Sequence, residues 1–475
     1  MDIPVRVWSV ALLFAVAGCV SVPTERSFVE MEDLATGQIA AVESLTRWSS
    51  GDTAVDADAP LSNTLSSNLT VDAAVRIALS NNRRIQAEYE RLDMAAAERL
   101  GAGLLRNPEA EGSMIVSEED SGEEVIELGA EIDLLHMILL PKRRRIGAAK
   151  HEAAKLDVAR TVQKLAYDTR VAYYRLLAAR QRLAMRESVL QAADAAQDMA
   201  DRLRKAGNIK ELDKLNREAL YEQAALGVSA GELAVAEARE DLNVLMGLSG
   251  DDTSWRLATG LPEPTSEEHE LESAVTNALQ NSVQLAMTQW DIEAAAQALG
   301  LSKAESAIPA LHLGVEAERE PDGVWLVGPM VAVELPLFDF GQARRPAARA
   351  ALRKLRHEYA ALAIEIAAAT RKAVKRAEVA VERVQRYRQT FLPLRKSITQ
   401  RTQLQYNAMQ LGVFQLLQAK QMEIGTESAY IDELLNYWIA RTELEQIRSG
   451  LLVEMSPTVS TSTEMPMAGG GNGGH

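Results

Sequence analysis

Few residue patterns in this 475-residue chain could carry chemistry, and each sits in a context that does not support it. Gly227-Val228-Ser229-Ala230-Gly231 spells G-x-S-x-G, which activates a serine only on a strand-to-helix elbow with Asp and His downstream. Here it lies inside an Ala-rich helical pattern with no strand before it. Gly469-x-Gly471-x-x-Gly474 matches the dinucleotide fingerprint in spelling, but no helix follows to receive a pyrophosphate. His151-Glu152 and His357-Glu358 lack the second histidine of H-E-x-x-H, there is no P-loop, and the six histidines are scattered. Met455, Met465, Met467 and His475 are soft donors of the kind that hold Cu(I), yet they fall in a Gly-rich tail whose composition reads as unstructured. The expectation is a protein that is not an enzyme, with no metal site and no bound cofactor.

Charge and composition narrow the class further. Lys and Arg total 51 and Asp and Glu 67, a formal net charge of −16, which argues against nucleic acid because phosphate binding needs clustered cations. Hydrophobic residues reach 47% but aromatics only 5%. A chain rich in Ala, Leu, Glu and Arg but poor in rings reads as long, closely packed helices. The charge run Lys142-Arg143-Arg144-Arg145 reads as an interface flank or a solvated helix face, not as a polyanion site.

The single cysteine excludes an internal disulfide and a thiolate cluster. Its position is informative. Arg6 precedes an apolar run at residues 7–17, too short to span a bilayer but suited to a secretory segment. Val16-Ala17-Gly18-Cys19 resembles a bacterial lipobox, in which the thiol is diacylated and becomes the first mature residue. Residues 1–18 then form the signal peptide. Valine stands where the motif usually has leucine, Asp2 weakens the basic start, and an ordinary signal peptide with an incidental thiol is the alternative. No Asp follows Cys19, so an inner-membrane retention signal is missing and the outer membrane is the expected address.

The elements behind these residues come in duplicate. Ala74-Val75-x-x-Ala78-Leu79-x-Asn81 returns 200 residues later as Ala274-Val275-x-x-Ala278-Leu279-x-Asn281. Ala95-Ala96-Ala97 before Gly101 matches Ala294-Ala295-Ala296 before Gly300, Pro108 matches Pro309, and Arg144-Arg145 matches Arg344-Arg345. Ala238-Arg239-x-Asp241-Leu242 matches Ala440-Arg441-x-Glu443-Leu444. Offsets that stay near 200 along the whole length mean two structural repeats. They read as 69–250 and 271–450, joined by a linker at 251–270, with an extended arm at 19–68 and a flexible tail at 451–475.

Within each repeat the apolar period switches from 3.6 to 2 and back. Residues 126–134 and 311–318 alternate as half-buried strands, with Ser121-Gly122 and Pro321-Asp322-Gly323 as hairpin turns. Two strands per repeat give four per chain, too few to close a barrel, and open edges are not tolerated in lipid. Either the hairpins are soluble or several chains pool their strands. Long helical runs follow. Leu165, Thr169, Ala172, Leu176, Ala179 and Leu183 form one heptad seam, and Ala367, Thr370, Val374, Ala377, Val381 and Val384 form another. Residues 142–206 would extend roughly 100 Å as one helix. Each run breaks at a glycine, Gly207-Asn208 in the first copy and Gly412-Val413 in the second, and a helix then returns.

In this order, twice over, the parts resemble the outer-membrane efflux protein (TolC-like) family over roughly residues 69–450. The run Leu335-Pro336-Leu337-Phe338-Asp339-Phe340-Gly341 and the closing Tyr437-Trp438-x-Ala440-Arg441 add to the likeness. The resemblance implies a mainly α fold with membrane β-hairpins, assembled as a homotrimer with a 12-stranded barrel and an α-helical tunnel. It implies a passive periplasm-spanning duct of a tripartite efflux or type I secretion system, lipid-anchored in the outer membrane. A periplasmic adaptor would open it and an inner-membrane pump would drive it. One departure concerns the first hairpin, residues 108–141, which has no aromatic residue, whereas the second has Trp325, Phe338 and Phe340. Two other classes remain: a periplasmic adaptor lipoprotein, which has one central hairpin, and a structural coiled-coil lipoprotein, which has no use for four strands. The substrate is not legible.

By the same resemblance, the turns at Gly207, Asn208, Gly412 and Val413 form the adaptor-docking ends, although a glycine permits a reversal in any case. Many relatives narrow the tunnel after the second end with aspartates. This chain has Gln415, Gln418 and Gln421 there, and Glu211 and Asp213 after the first end. These five are the candidate gate; the alternative is that the glutamines are ordinary solvated positions.

Overall fold

The computed structural model describes residues 22, 24–37, 39, 42, 44–48, 68–116, 124–257, 260–264, 271–320 and 322–452. Cys19, the turn at Ser121-Gly122 and the Met/His tail lie outside them. A first helix, α1 (Thr24–Thr36), precedes the repeats. The first repeat runs β1 (Asn68–Leu69), α2 (Val71–Asn81), α3 (Arg83–Gly101), β2 (Glu109–Val116), β3 (Glu124–Asp133), α4 (Leu134–Lys205) and α5 (Glu211–Met246). The second follows the same order with β4 (Arg256–Leu257), α6 (Leu271–Gln280), α7 (Val283–Ala307), β5 (Leu311–Arg319) and β6 (Trp325–Val333). Its long helix comes as α8 (Arg344–Arg386), a π-turn (Tyr387–Phe391) and α9 (Leu392–Asn407), before the return helix α10 (Val413–Arg448). The duplication is structural.

Two compact units divide the chain. The first comprises Met1–Asp33, Tyr89–Val158 and Met287–His357; the second comprises Leu34–Glu88, Ala159–Ala286 and Glu358–His475.

In the first unit the two hairpins join into one antiparallel sheet of order β2-β3-β5-β6, with β3 paired to β5 from Ile126↔Arg319 to Asp133↔His312. Within the chain this sheet is open, and β2 and β6 are its edges. Asp133 ends β3 and starts α4, because its carboxylate accepts the His136 N–H at 2.8 Å. The helix therefore begins at Leu134 and not after Pro141, which is accommodated inside it at the loss of one backbone hydrogen bond. The basic run is engaged locally: Lys142 donates to the Gly300 carbonyl, Arg143 pairs with Glu305 and Arg144 donates to the Gly103 carbonyl.

The arm expected to be extended contains α1. Its amphipathic face explains the helix: Met31 is fully buried, and the Phe28 ring stands edge-on to Tyr89 at 5.1 Å. Glu30 meets Lys155 at 2.7 Å, and Ser27 Oγ lies 3.1 Å from His151 Nε2.

In the second unit both heptad seams turn inward. Thr169 and Thr370 are fully buried, and each hydroxyl donates to the carbonyl four residues back, at 2.7 and 2.8 Å. Ala172, Leu176 and Ala179 are buried beside the first; Val374, Ala377 and Val384 beside the second. Small residues at alternate seam positions allow close helix approach. The expected single run in the second repeat is interrupted by the π-turn, because Pro393 lacks the N–H that would continue α-helical bonding.

Each return helix ends in a matched clasp. Gly247, at φ +69°, sits so close to the Asn81 carbonyl that a Cβ would lie 2.6 Å from it. Gly450, at φ +101°, stands 2.0 Å from the Asn281 carbonyl by the same measure. Only glycine fits both the left-handed conformation and the space. The parallel pair β1-β4 brings the starts of the two repeats together.

Candidate functional site

The hairpin ends are built by one turn used twice. At the end of α4 the Gly207 N–H donates to the Arg204 carbonyl at 2.9 Å and the Asn208 N–H to the Leu203 carbonyl at 2.8 Å. These two bonds are a Schellman motif, with Gly207 left-handed at φ +76°. At the end of α9 the Met409 N–H donates to Tyr406 and the Gln410 N–H to Gln405, both at 2.9 Å. The left-handed residue there is Met409, at φ +55°. Gly412, read from sequence as the reversal, is extended at φ −79° and ψ 162° and serves as the N-cap of α10. The hydrogen bonds closing α9 set the left-handed site three residues earlier, where a side chain costs about 1 kcal/mol.

The two ends share geometry but not chemistry. Residues 201–217 carry nine charged side chains; the equivalent residues 403–419 carry none. At the first end Arg204 pairs with Glu211 at 2.9 Å and Lys214 with Asp201 at 3.3 Å. Glu211 and Asp213 occupy the first turn of α5, where carboxylates are favoured by the helix N-terminus. At the second end Met409 is 94% exposed and Leu404 67%.

Gln415, Gln418 and Gln421 are all exposed on α10. Gln421 borders a groove of about 550 Å³ lined by Ala184, Val189, Ala196, Leu220 and Ile424. Glu423, the next carboxylate, is buried. Burial alone would raise its pKa, but hydrogen bonds from Thr399 and Lys420 and the charges of Lys420 and Lys396 hold it below the usual carboxylate range. The five candidate gate residues thus divide: Glu211 is ion-paired, Asp213 is half-buried and the three glutamines face out.

The sheet is sorted by face. Alternation and register place Glu109, Glu111, Glu127, Glu131, Asp133, Glu316 and Glu318 on one side. His312 joins them, with Nδ1 3.2 Å from Glu131. The other side carries Met114, Ile126, Leu128, Ala130, Leu313, Val315, Val327 and Val331, and Trp325 stands at its turn end. The carboxylates of that first side come from β2, β3 and β5, whereas β6 adds Leu326 and Met330 to it, so the sheet is apolar on one face and mixed, with an acidic centre, on the other.

Ser229 lies in the middle of α5, and of its flanking glycines only Gly231 is closely packed. Arg186 donates to the Gly227 carbonyl at 3.0 Å, and Gly231 meets Leu183. His151, which lacks the second histidine of H-E-x-x-H, has a packing role instead. It is buried at 1% exposure, its Nδ1 has no hydrogen-bond partner, and burial followed by the charges of Lys155 and Arg99 lowers its pKa. Among the described residues, no three metal-ligating side chains gather, and no helix is long and apolar enough to cross a membrane.

Comparison with known proteins bears on this geometry. The chain overlays the outer membrane channel CmeC of Campylobacter jejuni with a TM-score of 0.69 at 14% identity, covering 90% of this chain and 93% of that one. The fold is that of the TolC-like outer-membrane efflux channels. The outer membrane protein VceC of Vibrio cholerae overlays at a TM-score of 0.68 and 14% identity, covering 80% of this chain and 96% of that one. In sequence, the chain is 21% identical over 384 residues to the cobalt-zinc-cadmium resistance protein CzcC of Cupriavidus metallidurans, covering 80% of this chain and 90% of that one. No protein-family model matches the chain. The mainly helical, twice-repeated chain fold with β-hairpins expected from the order of the repeats therefore holds.

Proposed function

We propose that the chain is the outer-membrane channel of a tripartite export system, a passive duct through the outer membrane and periplasm. The observation that carries the reading is the open four-stranded sheet with one apolar face and one that carries seven carboxylates on β2, β3 and β5. Its edges β2 and β6 need partners, and three chains of four strands close a 12-stranded barrel that leaves no edge in lipid. The long helices then form the periplasmic tunnel of a homotrimer. The glycine- and methionine-bearing ends meet a periplasmic adaptor coupled to an inner-membrane pump. Cys19 carries the lipid, and no other cofactor is needed. An adaptor or a plain coiled-coil lipoprotein fits less well, because each repeat carries its own hairpin and strands. CzcC is named for cobalt, zinc and cadmium, and an acidic sheet face suits cations, so divalent metal ions are the first cargo to test.

The test is complementation. A strain lacking its own channel is given this one and scored for export of zinc, cobalt and cadmium and of a cationic dye; no gain with any of them removes the function. Light scattering in detergent tests the trimer, and a monodisperse monomer with full strand content excludes it. Cys19→Ser should abolish labelling by a fatty-acid analogue; unchanged labelling in the mutant refutes lipidation.

A further inference from the structure

We infer that the segment joining β6 to α8 is a binding site for an anionic phospholipid. Arg345 and Arg349 take the headgroup phosphate, and Leu335 and Phe338 lie against the acyl chains. The inference rests on the reading that the apolar face of the sheet lies in lipid, and it names the lipid chemistry at one end of that face. An apolar row, a cationic helix start and the contrast between the two repeats carry it.

The apolar row of β6 does not stop with the strand. Trp325, Val327, Val331 and Val333 share one side of it, all exposed. Leu335 continues the row, because the Glu334 N–H still donates to the Ala310 carbonyl at 3.1 Å. From Trp325 to Leu335, at about 3.3 Å per residue and a tilt of about 40°, the row stands roughly 25 Å high, the apolar band of a membrane barrel. Leu335 therefore marks the end of that band opposite Trp325. The turn that follows is closed on itself. Asp339 accepts the Gly341 N–H at 2.8 Å and Gln342 donates to the Phe338 carbonyl at 2.7 Å, which leaves the Phe338 ring 90% exposed. Placing that ring in lipid needs little further ordering of the chain.

The start of α8, just past this edge, is cationic. From Phe340 to His357 the chain has six Lys and Arg residues and no carboxylate, in a protein of net charge −16. Asp339 holds Arg344 at 3.1 Å. Arg345 and Arg349, four apart on one helix face, are exposed, and among the described residues neither pairs with a carboxylate. They lie about 6 Å apart along the axis, which matches a headgroup layer of roughly 5–7 Å. The first repeat lacks both features. No turn separates β3 from α4, Lys142 is taken up by the Gly300 carbonyl and Arg143 by Glu305, and Ala149 is buried where Arg349 is exposed. A phosphate carried on acyl chains satisfies the arginines and the apolar turn together. A free phosphate would leave the turn in water.

The experiment places the full-length channel in nanodiscs of equal parts phosphatidylcholine and phosphatidylglycerol and counts the lipids it retains by native mass spectrometry. Phosphatidylglycerol should be retained about tenfold over phosphatidylcholine, since two surface cations attract the anionic headgroup. Arg345→Gln combined with Arg349→Gln should bring that ratio to about one, while the same pair changed to Lys should keep most of the preference. Phe338→Ser should lower retention of both lipids alike. Equal retention by the wild type, or an unchanged ratio in the Gln variant, overturns the inference. So does loss of the preference to added inorganic phosphate, which would mark a free-anion site. Dissociation of the oligomer in the Gln variant also overturns it, because the arginines would then face a second copy. A channel that enters no bilayer of either lipid loses the barrel reading and this site with it. One that inserts yet retains both lipids equally loses only the site.

Discussion

Gly207 and Met409 occupy the same position in the same turn, at φ +76° and φ +55°, one in each repeat. Their difference is a side chain held in a conformation that costs an L-residue about 1–2 kcal/mol. Replacing Met409 by Gly removes that cost but adds about 0.5–1 kcal/mol of unfolded-state entropy, so stability should hold or rise slightly. Gly207→Met should lower it by about 1 kcal/mol. Thermal unfolding of the two variants decides the point, and a clear loss in Met409→Gly would mean that the side chain has an internal role.

The clasp at Gly450 should tolerate nothing larger. A Cβ there would stand 2.0 Å from the Asn281 carbonyl, in a backbone conformation that favours glycine. Gly450→Ala should cost about 3 kcal/mol, whereas Gly101→Ala, with nothing within 4 Å of the new atom, should be neutral or stabilising. Equal unfolding temperatures for the two variants would dismiss the clasp.

His151 makes the docking of α1 sensitive to acid. Its pKa in the folded chain lies below the ordinary 6.5, through burial first and then the nearby Lys155 and Arg99, with Glu152 and Glu30 opposing. Below about pH 6.5 the unfolded chain therefore binds the extra proton and the folded one does not, so stability falls as the pH drops. Glu30 behaves in the other sense of charge. Hydrogen bonds from Lys155 and Arg26 and the charge of Lys155 bring its pKa from 4.5 to about 2, so its contribution is intact above 4.5 and is lost as the pH falls toward 2. Between pH 7.5 and 5.5 only the histidine should act. Trypsin cleavage at Arg26 should speed up over that interval in wild type and much less in His151→Gln; identical pH dependence would remove His151 from the clamp.

The glutamines on α10 offer a test of the tunnel's narrow point. In a trimer Gln418 would be repeated three times around the axis, and Gln418→Asp would set three carboxylates facing one another, an oxygen-ligand site for hard cations. Single-channel conductance should then become sensitive to divalent or trivalent cations, while the wild type stays largely insensitive. Strong block of the wild type, or none gained by the variant, would take Gln418 out of the gate.

Much of this architecture was legible in the sequence because it depends on local periodicity. The alternation around Ile126 and Leu313 is a strand in either repeat, and the seams through Thr169 and Thr370 are buried as their spacing requires. Repetition of the same pattern near 200 residues apart needed no structure to be seen. What tertiary structure decided was where chain met chain. α1 is helical because Met31 and Phe28 find an apolar surface more than 50 residues away in sequence, which composition alone, rich in Ser, Thr and Asp, could not disclose. The helical run read from residue 142 starts instead at Leu134, where the Asp133 cap begins it. The second reversal was read at Gly412, three residues after the left-handed Met409. The left-handed position is fixed by which carbonyls of α9 remain to be satisfied, a property of hydrogen-bond geometry and not of residue type. The two faces of the sheet were implicit in the alternation of each strand, but only the β3-β5 register set Glu316 and Glu318 beside the five carboxylates of β2 and β3, since pairing across 180 residues is a choice that no local pattern encodes.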